Sequence, residues 1–219
     1  MKFTRDEIRA SMLLYAVTDR AWLGGRTLPD VVEEVLANGA TFLQVREKGM
    51  EHDAFLADAK ILKEQAARYR VPFVVNDSVE VALACDADGV HVGQSDIQGR
   101  DIRALIGPDR ILGISANTVD TAVAAQKAGA DYIGVGAVFG TTTKKDAKNL
   151  TVEQLRAICN AVDIPVVAIG GISAGNILAL RGSGVDGVAV VSAIFAQPDP
   201  GAAAKRLRAL AEELVGRHG

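Results

Sequence analysis

Three things are scarce in this sequence, and each shortage removes a class of protein. Cysteine occurs twice, at Cys85 and Cys159. Neither belongs to a CxxC pair and both fall in helix-like segments, which argues against a disulfide framework and reads as two buried structural thiols. No apolar stretch approaches the roughly 20 residues of a membrane span. The first residues, Met1 to Glu7, carry mixed charge rather than the apolar run of a signal peptide. A soluble cytoplasmic protein is the expectation, with no membrane partner. Basic residues are not in excess: 24 Lys and Arg stand against 27 Asp and Glu, a net charge of −3. A broad nucleic-acid footprint needs the opposite balance, so no nucleic-acid partner is expected. A local basic pocket is still open, and the sequence names no protein partner.

What is abundant is apolar sequence in short pieces. Hydrophobic residues make up 49% of 219, enough for a sizeable core. They gather in eight runs, at 13–18, 41–46, 72–76, 89–93, 111–116, 132–139, 165–170 and 187–194. Most are nearly continuous Val, Ile, Leu and Gly rather than alternations, the pattern of parallel strands covered on both faces. Between them lie amphipathic segments. Within 53–69, Phe55, Leu56, Ala59, Leu62, Ala66 and Tyr69 share one helical face, with Asp53 as the expected N-cap. Thr151 to Gln154 reads as a capping box. Residues 202–214 form a closing helix, and 79–84 is a short helix candidate.

A partial echo precedes several runs: Asn38-Gly39-Ala40, Asp86-Ala87-Asp88-Gly89, Ala128-Gly129-Ala130-Asp131 and Ser183-Gly184-Val185-Asp186. A Gly that ends each helix in the left-handed conformation and lets the chain turn into the sheet accounts for it. No composition break marks a linker. Eight β–α units in one piece predict a single parallel (β/α)8 TIM barrel over 1–219, with 1–11 as an N-terminal extension. An open doubly wound sheet usually carries fewer strands.

In such barrels chemistry sits where strands end and helices begin, and polar residues collect there. Strand 2 ends Gln44-Val45-Arg46-Glu47-Lys48. Alternation puts Gln44, Arg46 and Lys48 on one face and Val45 and Glu47 on the other. The first set suits an anionic ligand; a solvated loop ion-paired through Glu47 is the competing reading. Strand 3 ends Asn76-Asp77, and Asp96 lies just past strand 4. Two carboxylates on adjacent strand ends form a hard-oxygen site for Mg²⁺, although each Asp could instead cap a helix. His91, between valines, reads as a satisfied core or rim histidine rather than a ligand. Ser115 ends strand 5. After strand 6, Thr141, Thr142, Thr143 and Lys144 offer hydroxyls, amides and a cation to an oxyanion, or else form a solvated turn. Gly171 after strand 7 and Ser192 after strand 8 stand where many barrels bind phosphate. The reading is two anion sites, one metal-assisted around strands 2–4 and one metal-free around strands 6–8, and so two phosphorylated small-molecule substrates.

Taken together, QVREK at 44–48, VND at 75–77, GVHVGQSD at 89–96, Ser115, TTTKKDA at 141–147, IGGI at 169–172 and VVSAI at 190–194 resemble the thiamine phosphate synthase family. The resemblance runs from about residue 14 to residue 194. It implies a transferase of thiamine biosynthesis that joins a hydroxymethylpyrimidine diphosphate to a thiazole phosphate with release of pyrophosphate, and of CO₂ when the thiazole is carboxylated. It implies that Gln44, Val45, Arg46, Glu47, Lys48, Asn76, Ser115 and Lys144 bind the pyrimidine diphosphate, with Arg46, Lys48, Ser115 and Lys144 catalytic. It implies that Asp77 and Asp96 hold one Mg²⁺ per subunit, and that Thr141, Thr142, Thr143, Gly171, Val191 and Ser192 bind the thiazole phosphate. The chain departs from the pattern at Gly140, where the family often has Pro. A thiazole tautomerase of the same fold would not need the full diphosphate and metal set. A sugar-phosphate isomerase would leave the basic strand 2 without a purpose. A non-catalytic thiazole-phosphate-binding regulator would bind without turnover.

Overall fold

The computed structural model describes residues 3–97, 99–140 and 150–216. Eight strands close into one barrel in sequence order: β1 (Leu14–Val17), β2 (Phe42–Val45), β3 (Phe73–Asn76), β4 (Gly89–Val92), β5 (Ile111–Ser115), β6 (Tyr132–Val135), β7 (Val166–Ile169) and β8 (Gly187–Val190). Every neighbouring pair is parallel, and β8 returns to β1. All eight expected runs therefore became strands, but two stop early. The run at 132–139 pairs as a strand only to Val135; the next residue, Gly136, lies so close to Ile169 that a Cβ would overlap its carbonyl oxygen. Irregular bonds from Val138 N to Ile169 O and from Phe139 N to Gly170 O carry the chain on. The run at 187–194 leaves the sheet after Val190 and turns into a short helix.

The helices are α1 (Arg5–Ser11), α2 (Leu28–Ala37), α3 (His52–Arg68), α4 (Val79–Ala84), α5 (Gln94–Ile97), α6 (Ile102–Ile106), α7 (Val119–Lys127), α8 (Val152–Asn160), α9 (Ser192–Phe195) and α10 (Pro200–Val215). The Thr151–Gln154 capping box forms. Asp53 is not the cap of α3: the cap position falls two residues earlier, at Glu51, which makes no side-chain bond, and Asp53 lies in the first turn. There its charge still meets the positive end of the helix dipole.

Strand alternation divides the core in two. One side of each strand faces the helices, where Leu43, Val45, Val75, Val90 and Val92 pack against α2, α3 and α4. The other side fills the barrel with Tyr15, Val17, Phe42, Val74, Ile111, Tyr132, Val167 and Ala189. Helix α1 closes the barrel's N-terminal end: Ile8 and Met12 are fully buried in that inner cluster, and Arg9 reaches Asp186 and the Asp163 carbonyl. The stretch at 1–11 thus contributes α1 as the floor plug of the domain.

The echo before the strands has two parts. Gly39, Gly129 and Gly184 take positive φ, the first two directly after the caps of α2 and α7, but in the second copy it is Asp86, after α4, and not Gly89 that does so. The second part is a side-chain cap on the neighbouring strand. Thr41 Oγ1 accepts from Leu14 N at 2.8 Å, Asp88 from Phe73 N at 3.0 Å, Asp131 from Leu112 N at 2.8 Å and Asp186 from Val166 N at 2.8 Å. The residue before each even strand therefore satisfies an N–H at the start of the odd strand beside it, the first in β1, β3 and β7 and the second in β5. That group would otherwise be unpaired at the barrel's end.

Candidate active site

The strand C-termini surround a cavity of about 760 Å³, within the range typical of small-molecule sites. Gln44, Arg46, Lys48, Asn76 and Ser115 line one side, and Gly140, Gly171, Val191 and Ser192 line the other. Residues from six strand ends or the loops beyond them thus meet in one space. The sequence places Thr141, Thr142, Thr143 and Lys144 next to this rim; they lie outside the described residues.

Strand β2 delivers its cations as alternation requires. Thr18, fully buried, accepts from Arg46 N at 3.0 Å and so steadies the strand end. The side chains of Val45 and Glu47 do not join the cavity. Val45 is fully buried in the helix-facing core, and Glu47 pairs with Arg20 at 2.6 Å. Burial raises the Glu47 carboxyl above its ordinary range, against the opposing pull of Arg20.

Asp77 and Asp96 sit at the rim beside Asn76. Asp77 is not a helix cap, since Ser78 caps α4; it holds the unusual φ of +63° while its N–H donates to the His91 carbonyl at 2.8 Å. Although the residue as a whole is exposed, burial of its carboxyl end raises the pKa, and the facing Asp96 charge raises it further, while Arg46 opposes the shift. Asp96 spends one oxygen on Gly93 N at 2.9 Å. Two carboxylates turned toward each other are a poor arrangement for the protein alone and a good one for a hard divalent cation.

On the far side, Gly171 has φ of +66°, and a Cβ there would overlap the Gly140 carbonyl oxygen. Asn176 holds the Gly171 carbonyl at 2.8 Å. Gly140 itself has φ of +72°, a path closed to the proline common in the family. The departure noted at this position thus coincides with a left-handed turn over Gly171. Ser192 opens α9 at the rim.

The sequence missed a chain of polar groups inside the barrel. Gln44 Nε2 donates to Tyr15 Oη at 2.5 Å. Tyr15 Oη and Tyr132 Oη are 2.7 Å apart, and Tyr132 Oη lies 2.9 Å from His91 Nδ1. His91 Nε2 then meets Ser115 Oγ at 3.0 Å. His91 is a satisfied histidine, as expected, yet it also lines the cavity. Inward-facing tyrosines on β1 and β6 were the available signal, since a buried phenol needs a partner.

A model of the thiamine monophosphate synthase family matches residues 14–194. The thiamine-phosphate synthase of Clostridium tetani is 46% identical over 203 residues, covering 93% of this chain and 94% of its own length. That of Ruminiclostridium cellulolyticum is 48% identical over 194 residues, covering 89% and 92%. The solved thiamine phosphate pyrophosphorylase of Pyrococcus furiosus superposes with a TM-score of 0.88 at 39% identity, covering 95% of this chain and all of its own. With a closed parallel barrel and the motif residues gathered at one mouth, the chain belongs to the thiamine-phosphate synthase family.

Proposed function

We propose that the enzyme joins 4-amino-2-methyl-5-hydroxymethylpyrimidine diphosphate to a thiazole phosphate. The CH₂–O bond to the diphosphate breaks and its electron pair leaves with pyrophosphate. The lone pair of the thiazole nitrogen forms the new C–N bond of thiamine phosphate, and CO₂ also departs when the thiazole is carboxylated. The observation that carries this reading is that one cavity is lined by both the Gln44–Arg46–Lys48 face and the Gly171–Val191–Ser192 rim. Two anionic substrates can then be held across one space, which lowers the barrier through proximity.

In this reading Arg46 and Lys48, with Lys144, bind the diphosphate and stabilise the charge that develops on it as it leaves. Gln44, Asn76 and Ser115 hold the pyrimidine. The loops at Gly171, Val191 and Ser192, with Thr141, Thr142 and Thr143, hold the thiazole phosphate. Asp77 and Asp96 would hold one Mg²⁺, whose charge, when bound, would neutralise oxygens of the diphosphate. Support for that assignment is the opposed carboxylate pair, whose mutual repulsion a divalent cation relieves. No described helix is long and apolar enough to cross a membrane.

The test mixes both substrates with the protein, with and without Mg²⁺, and follows thiamine phosphate and pyrophosphate. Metal-dependent formation of both is expected. Asp77→Asn should abolish metal-dependent diphosphate binding, and full activity in that variant would remove the metal assignment. Ser192→Asp should raise the KM for thiazole phosphate alone; an unchanged KM would place that phosphate elsewhere.

A further inference from the structure

We propose that Tyr132 is a positioning residue: acting through His91, it sets the direction in which the Ser115 hydroxyl donates, and so presents a hydrogen-bond donor to the pyrimidine side of the mouth. The proposal rests on the reading of that side given above.

The argument is a count of protons along the buried chain. Gln44 Nε2 can only donate, so Tyr15 Oη accepts from it. The single phenolic proton of Tyr15 then goes to Tyr132 Oη. Tyr132 in turn gives its own proton to His91 Nδ1. A neutral imidazole that accepts at Nδ1 carries its proton on Nε2. His91 Nε2–H therefore donates to Ser115 Oγ, and the serine proton is left to point into the cavity that Ser115 lines. Both tyrosines are fully buried, and burial raises their phenols well above the ordinary range, so each has one proton to give.

The surrounding backbone is shaped to this chain. At Gly113 a Cβ would collide with both Tyr132 Oη and His91 Nδ1, and at Gly134 it would come within 3.2 Å of His91 Cε1. The sheet leaves out side chains where the polar groups pass. Reversing the Gln44 amide would reverse every bond: His91 would hold its proton on Nδ1 and accept from Ser115 on Nε2. Ser115 would then present lone pairs to the mouth, with its donor spent.

The two directions differ in the tautomer of His91, which long-range ¹H–¹⁵N correlation spectra read directly. The signal is assigned by its loss in His91→Gln. Neutral His91 protonated on Nε2 is expected; protonation on Nδ1, or on both nitrogens, overturns the proposal. This readout needs no turnover, so it stands apart from failure of the proposed reaction. Tyr132→Phe should release His91 to a mixture of tautomers. It should also lower kcat/KM for the pyrimidine diphosphate about tenfold, within the coupling expected of hydrogen-bonded neighbours, with the KM for thiazole phosphate unchanged. In the His91→Gln background, where the amide supplies an N–H donor and has no tautomer to set, Tyr132→Phe should cost nothing further. An equal loss in both backgrounds assigns Tyr132 a structural role only and overturns the proposal. If Tyr132→Phe fails to fold, the tautomer of the unsubstituted protein still decides.

Discussion

Arg20 holds Glu47 at 2.6 Å on the side of β2 turned away from the cavity, while Arg46 and Lys48 on either side of Glu47 face into it. Arg20 also pairs with Asp58 of α3. The loop after β1 thus braces the strand end that carries the cations.

Removing that brace should show in both stability and binding. The Glu47 side chain is 6% exposed and Arg20 is 32% exposed. Arg20→Ala then leaves a nearly buried carboxylate without its cation. A cost of about 1–3 kcal/mol is expected, less than for a fully buried pair because Arg20 is partly solvated. Urea unfolding measures it. The KM for the pyrimidine diphosphate should rise while that for thiazole phosphate holds. A change within about 0.5 kcal/mol, the range of an ordinary surface substitution, would dismiss the brace.

Gly171→Ala tests the opposite rim. The new Cβ would overlap the Gly140 carbonyl and force a side chain into positive φ. Backbone strain alone costs about 1–3 kcal/mol. Thiazole phosphate affinity should fall by at least tenfold, measured by titration calorimetry, while binding of the pyrimidine diphosphate is little altered. Equal loss of both ligands would mean that the substitution disturbs the whole mouth.

Asp131→Ala tests the strand caps far from the chemistry. Asp131 Oδ2 accepts from both Leu112 N at 2.8 Å and Arg103 Nη2 at 2.6 Å, and its side chain is 11% exposed. Its removal leaves the Leu112 N–H without an acceptor and takes the carboxylate from Arg103, which keeps the carbonyls of Gly107, Arg110 and Gly129, at a cost of about 1–3 kcal/mol. Chemical denaturation should show that loss, with KM values unchanged below the midpoint. A loss under about 1 kcal/mol would reduce the caps to decoration.

The two thiols should be inert in the folded protein. Burial, then the Asp186 charge, pushes the Cys159 thiol up to about 12, and burial also raises Cys85. The thiolate is the reactive form. Iodoacetamide at pH 8 should therefore label neither in buffer and both in denaturant, followed by mass spectrometry. Rapid labelling of the native protein would contradict the burial.

Much of the fold was legible because its signals are local. Continuous apolar runs mark strands covered on both faces, and the capping box at Thr151 needs only four residues. Alternation correctly separated Gln44, Arg46 and Lys48 from Val45 and Glu47. The side chains of Val45 and Glu47, which the resemblance groups with the other three, lie in the core and against Arg20. Local signals could not show where β6 and β8 stop, because pairing depends on the backbone of the neighbouring strand, which lies far along the chain. Nor could they show Asp131 and Asp186 as strand caps, whose donors lie about 20 positions away. The barrel, its order and the position of the polar strand ends were thus determined by the sequence itself, through periodicity and turn chemistry. The tertiary structure alone decided which of those polar groups meet. The chain from Gln44 to Ser115 joins residues of five strands, and its direction exists only when the closed barrel brings them within hydrogen-bond reach.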